Sequence, residues 1–155
     1  MEWVFNDGGR TRAGRRGLTG DCVCRAVSIA TGKPYTEVYE TLAQKSSTER
    51  KSKTGRSASK GIKVKRKWFH DLMKAWNCAW TPTMGIGTGC HTHLANNELP
   101  MGRLIVRLSH HCTAVINGVI HDTYDPQRKT LYFGPDGKCI RAAERCVYGY
   151  WTVKQ

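Results

Sequence analysis

The sequence predicts one α+β domain, with N-terminal helices packed on a C-terminal antiparallel sheet. Its 155 residues are enough for one hydrophobic core and too few for two comfortable ones. Apolar residues recur at helical spacing in the first half of the chain, whereas short strand-like runs and turn signals dominate the second half. Helices followed by strands are typical of the α+β class, so we treat residues 1–155 as a single domain.

Two helices are predicted near the N-terminus. The first begins at Cys22 and ends at Gly32, because apolar side chains recur there every three or four positions: Val23, Ala26, Val27, Ile29 and Ala30. The second starts at Pro34, with an apolar stripe of Tyr35, Val38 and Leu42. The stretch before Cys22, "NDGGRTRAGRRGLTG", has five glycines, four arginines and no periodicity, so we expect an irregular loop.

A third helix and a first strand are predicted in the middle of the chain. The segment "KWFHDLMKAWN" places Trp68, Leu72 and Trp76 on one helical face, which we expect to be buried. It runs into "CAWTPT", whose aromatic, threonine and proline content indicates a strand and a turn. The glycine-rich stretch "GIGTGCHTHLANNELP" is then predicted to be a loop.

The strongest local signal is the pair Asn117-Gly118 within "HHCTAVINGVIHDTYD". Asn-Gly favours a two-residue hairpin turn, which sets Ile116 opposite Val119. The preceding "GRLIVRLS" and the tail "RCVYGYWTV" are predicted as further strands. The hairpin register is therefore fixed by sequence, and register decides which side chains share a face.

This register brings a histidine close to a carboxylate. His111 and Asp122 fall on one side of the hairpin as diagonal neighbours on adjacent strands, within reach of each other. His110 falls on the other side with Asp125, and we interpret it as a surface residue at the strand end. A histidine oriented by a carboxylate is the usual partner of a nucleophilic cysteine.

The cysteine that fits this arrangement is Cys22, at the start of the first helix. Unpaired backbone amides and the positive end of the helix dipole lower the pKa of a thiol placed there. Cys24 lies about 200 degrees further around the helix, so we expect it to point into the core. Asp21 could cap the helix, although its negative charge would raise the pKa of the Cys22 thiol.

The order Cys, His, Asp and the neighbouring words resemble the papain-like cysteine peptidase superfamily. The matching words are "GDCVCRAVSIATGKPY" and, far downstream, "HCTAVINGVIHDTYD". More narrowly, "DGGR…AG…GDC…RA" and a closing "VYGYW" are similar to small papain-like proteins of bacteria and their phages. The resemblance covers about two thirds of the chain. It implies a hydrolase in which Cys22 is the nucleophile, His111 the base and Asp122 the orienting acid.

One position departs from the pattern of that superfamily. Its members usually carry a glutamine several residues before the nucleophile, which donates a hydrogen bond to the oxyanion, and here Arg16 stands at the sixth residue before Cys22. The remaining candidate donors are Thr19, Asn6 and the backbone amide of Cys22. We expect a protein or peptide substrate, attacked to give a thioester acyl-enzyme.

Charge supports an alternative reading. The formal net charge is +13, and residues 45–67 hold ten basic residues against the single acid Glu49, which predicts a mobile or extended basic loop. The chain could instead be a binding module on a relic papain-like fold, contacting nucleic acid or an acidic protein. The candidate contacts are Lys51, Lys53, Arg56, Lys60, Lys63, Lys65, Arg66 and Lys67.

Cysteine use and hydropathy suggest the compartment. Seven cysteines are an odd number and the start "MEWVFNDGGR" does not look like a signal peptide, so we expect reduced thiols in the cytoplasm of a bacterial host or phage-infected cell, and no membrane contact. Cys90 and His93 have the spacing of half a zinc site, but no second matching pair follows. We therefore predict no metal and no cofactor.

Overall fold

The computed structural model of the chain describes residues 1–17, 19–49, 57–128 and 130–154. These residues form three helices and eight strands, which confirms the α+β class. The helices are α1 (Cys22–Thr31), α2 (Tyr35–Ser47) and α3 (Lys67–Ala75). The strands are β1 (Glu2–Phe5), β2 (Cys78–Pro82), β3 (Arg103–Leu108), β4 (His111–Ile116), β5 (Val119–Asp122), β6 (Thr130–Phe133), β7 (Cys139–Ala143) and β8 (Gly149–Val153).

Six of these strands form one mixed sheet, in the order β1-β5-β4-β3-β8-β2, and β6 pairs with β7 separately. The expectation of a purely antiparallel, C-terminal sheet is wrong, because β1 comes from the N-terminus and pairs parallel with β5. The four residues of β1 show only a short apolar run. Periodicity over so few residues does not reveal a parallel edge strand, whose partner lies far along the chain.

Helix α1 is the central helix and packs on the sheet. Its apolar stripe is buried as predicted, and the helix ends at Gly32, which adopts a left-handed conformation with φ 74°. Arg103 of β3 donates from Nε to the carbonyl of Ala30 at 2.6 Å and from Nη2 to that of Ile29 at 2.7 Å. The guanidinium therefore satisfies carbonyls that the last helical turn leaves unpaired.

Helices α2 and α3 complete the layer over the sheet. The predicted stripe Tyr35, Val38 and Leu42 is buried in α2. In α3 the prediction was wrong by one position, because Phe69 and Met73 are fully buried while Trp68, Leu72 and Trp76 are only partly buried. Trp68 stays at the margin of the core, where its indole N–H donates to the Glu49 carboxylate at 2.6 Å.

The two faces of the sheet have separate apolar clusters. Residues of α1, α2 and α3 pack with Ile105, Ala114 and Trp151 on one face. On the other face Leu94 and Val147 cover Leu104, Val106, Leu108, Val115 and Ile120. Neighbouring positions along β3 thus go to opposite clusters, as expected for a strand buried on both sides.

The hairpin of β4 and β5 follows the predicted register. Asn117 and Gly118 have φ values of 49° and 80°, and Ile116 pairs with Val119. Strands β2 and β3 also lie where predicted, and the loop at residues 85–100 is irregular apart from a bridge between His93 and Cys146. The last strand is shorter than predicted, because β8 begins only at Gly149.

The basic segment is not an extended loop over all of residues 45–67. Helix α2 continues to Ser47 and α3 begins at Lys67, so helical structure enters the segment from both ends. Lys60 lies in a turn between them. The predicted contacts Lys51, Lys53 and Arg56 lie outside the described residues.

One expectation about the thiols is wrong: Cys90 and Cys146 form a disulfide. It ties the loop at residues 85–100 to the segment that precedes β8, where Leu94 and Val147 also exchange backbone hydrogen bonds with Arg145 and Thr92. Free thiols among the described cysteines are Cys22, Cys24, Cys78 and Cys112. Parity of the cysteine count could not reveal a single pair, since it depends on which side chains the fold brings together.

None of the described helices combines the length and apolarity needed to cross a membrane. Within the described ranges, no three His, Cys, Asp or Glu side chains are grouped so that they could hold a metal ion.

Candidate active site

Three elements meet at one end of the sheet and bring together the predicted triad. Helix α1 begins at Cys22, β4 begins at His111 and β5 ends at Asp122. The positions are far apart in sequence, so the hairpin register and the packing of α1 on β4 together create the site. His111 and Asp122 are almost completely buried, whereas Cys22 is partly buried.

The carboxylate of Asp122 holds one side of the His111 ring. Its Oδ2 lies 2.6 Å from His111 Nε2, and its Oδ1 accepts a hydrogen bond from the backbone amide of Thr123 at 2.7 Å. An ionised carboxylate can only accept, so the Nε2 of His111 carries a proton. The Nδ1 atom is therefore the nitrogen left to act as a base.

The Cys22 thiol interacts with this histidine. Burial alone would raise the pKa of the Cys22 thiol, but a hydrogen bond to His111 and the charge of its imidazolium outweigh burial and lower it. The backbone amide of Cys112 and the guanidinium of Arg25 lower the pKa of the thiol further. The surroundings thus favour the thiolate, which is the nucleophilic form.

The pKa values of His111 and Asp122 shift in the directions that complement the shift of Cys22. Burial opposes the charged form of His111, yet Asp122 and Cys22 together raise the pKa of the imidazole. Burial likewise opposes the charged form of Asp122, but the hydrogen bond to His111, its charge and the amide of Thr123 lower the pKa of the carboxyl. All three directions favour a thiolate, an imidazolium and a carboxylate in one row.

Asp21 does not cap α1, contrary to one expectation from the sequence. It is 1% exposed, and no side-chain capping bond is made at the helix start. Its carboxylate forms ion pairs with Arg25 and, at 3.0 Å, with Arg10, and it accepts a hydrogen bond from Tyr35 at 2.5 Å. Two guanidinium groups compensate the negative charge of Asp21, and the pKa of Cys22 is lowered, chiefly by His111.

Arg25 links the two buried carboxylates. Besides Asp21 it contacts Asp122, with 3.5 Å between Nη2 and Oδ1. The guanidinium is 8% exposed and lies one helical turn after Cys22. The ionised Asp122 is thereby stabilised at the oxygen that does not face His111. In the sequence only the helical spacing of Asp21 and Arg25 points to this role.

Cys24 is not part of the site. It is completely buried, and its thiol donates to the carbonyl of Ala58 at 3.5 Å. Burial, with the charges of Asp21 and Cys22, raises the pKa of the Cys24 thiol to about 12. This agrees with the prediction that Cys24 points into the core.

The two side chains predicted as oxyanion donors, Asn6 and Thr19, have other neighbours in the structure. The Asn6 carboxamide accepts from the Gly8 amide at 2.9 Å and lies 3.4 Å from His121 Nδ1. Thr19 is exposed and lines a groove with Arg10, Arg15 and Arg16. Hydrogen bonds along α1 begin with the Arg25 amide, which leaves the amides of its first turn available to a negative charge.

Tyr124 is a residue of the site that the sequence analysis missed. Its hydroxyl lies 3.2 Å from His111 Nδ1, and the two ring centroids are 5.1 Å apart. Tyr124 is 48% exposed, so it borders solvent beside the buried imidazole. The signal was present in "HDTYD", where a tyrosine follows Asp122 by two positions as the chain leaves β5.

Basic side chains line the surface next to this end of α1. A groove of about 300 Å³ is bordered by Arg10, Arg15, Arg16, Thr19, Tyr39 and Ser59 among other residues. The Arg15 guanidinium stacks on the Tyr39 ring at 3.4 Å. Lys60, Lys65, Arg66 and Lys67 are exposed, Lys63 is half-buried, and Lys67 forms an ion pair with Asp71 at 2.6 Å.

In comparisons with known proteins, no family model, curated protein or solved structure matches this chain.

Proposed function

We propose that this protein is a papain-like cysteine hydrolase with Cys22 as nucleophile, His111 as general base and Asp122 as the acid that orients it. The supporting observation is the orientation of His111, whose Nε2 lies 2.6 Å from Asp122 Oδ2 and whose Nδ1 is left to act as the base. The same imidazole lowers the pKa of the Cys22 thiol. A cysteine paired with an oriented histidine at a helix start is the arrangement that activates a thiol for attack on acyl carbons.

The reaction proceeds in two stages. The Cys22 proton moves to His111 Nδ1, Sγ forms a bond to the acyl carbon, and the carbonyl electron pair moves onto its oxygen. When the C=O bond re-forms, the leaving amine departs with the proton from His111, and a thioester remains on Cys22. Water, deprotonated by His111, then attacks the thioester, releasing the acid and returning the proton to the thiol.

The amides at the start of α1 are the best-placed backbone donors for the oxyanion. They have no partners within the helix, and the dipole of α1 adds a positive potential at the same point. They replace Asn6 and Thr19 in our proposal, since Asn6 is engaged with Gly8 and His121 and Thr19 lies in the arginine-lined groove. The substrate is a protein or peptide amide, or a related acyl compound.

The pH dependence of thiol alkylation tests the proposal. We expect iodoacetamide to label Cys22 at a lower pH than an ordinary thiol, because His111 and Arg25 lower the pKa of Cys22. His111→Ala removes the imidazolium and should shift the labelling midpoint of Cys22 upward. The measurement is the labelling rate at each pH, resolved by peptide mass spectrometry.

The chain contains its own controls for this experiment. Burial raises the pKa of Cys24 to about 12 and that of Cys78 to about 11, so both should stay unlabelled where Cys22 reacts. A midpoint for Cys22 at the ordinary value of a free thiol, unchanged by His111→Ala, would contradict the proposed pair.

A second candidate function is binding of nucleic acid or an acidic protein on the basic surface. It is favoured by the arginine-lined groove and by the exposed Lys60, Lys65 and Arg66. Cys22→Ala separates the two functions, because it removes the proposed nucleophile and leaves every basic side chain in place. Binding and hydrolysis can coexist if the basic surface recruits the substrate.

A further inference from the structure

We propose that the Tyr124 hydroxyl is an oxyanion donor of the site, taking the place of the side-chain donor that the sequence lacks. The inference rests on the proposed hydrolase function. It concerns a residue outside the triad, and it begins from the position of Tyr124 Oη, 3.2 Å from His111 Nδ1. In the proposed mechanism Nδ1 is also the atom that receives the Cys22 proton, so the hydroxyl lies beside an atom that takes part in the reaction.

The hydroxyl group is available as a donor. Burial and the charge of Asp122 raise the pKa of the Tyr124 phenol, and the charge of Cys22 adds to this effect, so the phenol keeps its proton at neutral pH. Because the side chain is 48% exposed, a substrate carbonyl can reach it from solvent.

Protonation of His111 leaves this donor free. In the ion pair that the pKa shifts of Cys22 and His111 favour, the Nδ1 atom carries a proton and cannot accept a hydrogen bond from Tyr124. The proton of the Tyr124 hydroxyl is therefore not bound by the imidazole. The oxygen of the attacked carbonyl acquires negative charge when Cys22 adds to it, and the hydroxyl can donate to that oxygen without giving up its own proton.

The side chain of Arg145 holds the segment that carries Tyr124. Arg145 donates from Nη1 to the carbonyl of Pro126 at 2.9 Å and from Nη2 to that of Ser109 at 2.8 Å. Pro126 follows Tyr124 by two residues, and Ser109 precedes His111 by two. One guanidinium thereby fixes the chain that bears the hydroxyl relative to the chain that bears the imidazole, which is the preorganisation that an oxyanion donor requires.

Two reagents that attack the same sulfur differently can test this role. Acylation of Cys22 by p-nitrophenyl acetate passes through an oxyanion, whereas alkylation by iodoacetamide displaces iodide and forms none. We expect Tyr124→Phe, which keeps the ring and removes the hydroxyl, to slow acylation by about 100-fold, a typical loss for one oxyanion donor. Alkylation of Cys22 should not slow, since thiolate formation still relies on His111 and Asp122.

The comparison of reagents distinguishes the two proposals. Ordinary alkylation of Cys22 in the parent protein would overturn the hydrolase proposal itself. Activated alkylation, with acylation equal in parent and Tyr124→Phe, would overturn only the role of Tyr124. An equal loss in both reactions would also overturn it, because the hydroxyl would then act through the thiolate. Tyr150→Phe, which removes a phenol hydroxyl from β8, is the matched control and should leave both rates unchanged.

Discussion

Buried charge dominates this molecule at the scale of single residues. Asp21, Arg25 and Asp122 are each less than a tenth exposed, and they form a continuous row from Tyr35 to His111. Burying such groups costs free energy unless every charge is paired. The row satisfies this condition by alternating carboxylate, guanidinium, carboxylate and imidazole, and it connects the core beneath α1 with the end of the sheet where β4 begins.

The isosteric substitution Asp21→Asn should therefore be strongly destabilising. It leaves Arg10 without its acidic partner and Arg25 with Asp122 alone, and removal of one partner of a buried ion pair costs about 3 kcal/mol or more. The measurement is the free energy of unfolding from urea titration. Asp71→Asn is the control, because its pair with Lys67 is exposed and should be worth less than about 1 kcal/mol. Equal losses in the two variants would contradict this account.

The residues of the site could be predicted from sequence only in part. His111 and Asp122 follow from the Asn-Gly turn, since one local signal fixes the register of both strands. Tyr124 lies beyond the end of β5, where strand periodicity no longer defines the direction of a side chain. The pairing of Asp21 with Arg10 depends on how the preceding loop returns to the helix, and local sequence does not encode that path.

At the scale of elements, β8 is positioned by an aromatic cluster. The Trp80 ring of β2 packs against Trp151 with 4.3 Å between centroids, and Phe69 and His70 of α3 approach Trp151 at 5.3 and 5.4 Å. The indole of Trp80 extends across the backbone of Gly149. A glycine at this position is needed because a side chain would occupy the same space as the indole.

Gly149→Ala should consequently destabilise the fold. Its Cβ would lie 2.2 Å from the Trp80 ring and 2.8 Å from the Thr81 carbonyl oxygen, and φ at this position is 150°. Overpacking combined with an unfavourable backbone conformation costs about 3 kcal/mol. Gly87→Ala, at φ 76° with open space around it, should cost about 1 kcal/mol. Thermal unfolding of the two variants compares them, and a smaller loss at Gly149 than at Gly87 would refute the close approach.

Elements with a strong local signal were predictable, and those defined by distant partners were not. Helix α1 and the β4–β5 hairpin have periodicity, a glycine stop or a turn pair within the segment itself. Strand β1 depends on β5 for its existence, and its exposed Phe5 gives no amphipathic alternation. The α3 error has the same origin, because Trp68 and Phe69 are adjacent and only the packing against Trp151 decides which is buried.

At the scale of the whole molecule, the excess of positive charge governs encounters with other molecules. The net charge of +13 is accompanied by exposed lysines such as Lys60 and Lys65, and Lys60 follows Ser59, which lines the arginine-lined groove. A surface of this kind attracts polyanions before any specific contact forms. Such attraction depends on ionic strength, which distinguishes it from recognition by shape.

Binding of a DNA duplex should therefore weaken steeply with salt. With about four phosphate contacts, the Kd should rise about 100-fold between about 50 and about 200 mM NaCl. The double variant Lys60→Glu, Lys65→Glu should reduce affinity and flatten the salt dependence, as followed by fluorescence anisotropy. The variant Lys138→Glu, Lys154→Glu carries the same change in net charge at other exposed positions and is the control. Equal effects of the two would assign the binding to overall charge alone.

The place of β8 in the sheet has a consequence for how the chain is made. Among the six strands of the sheet β8 is translated last, yet it lies between β3 and β2, and its Trp151 fills the helix-side core. While the ribosome is still reading the codons before Gly149, β2 has no neighbour to join and the core beneath α3 lacks its largest ring. Because β8 fills an interior position, the sheet can close only late, after most of the chain has left the exit tunnel.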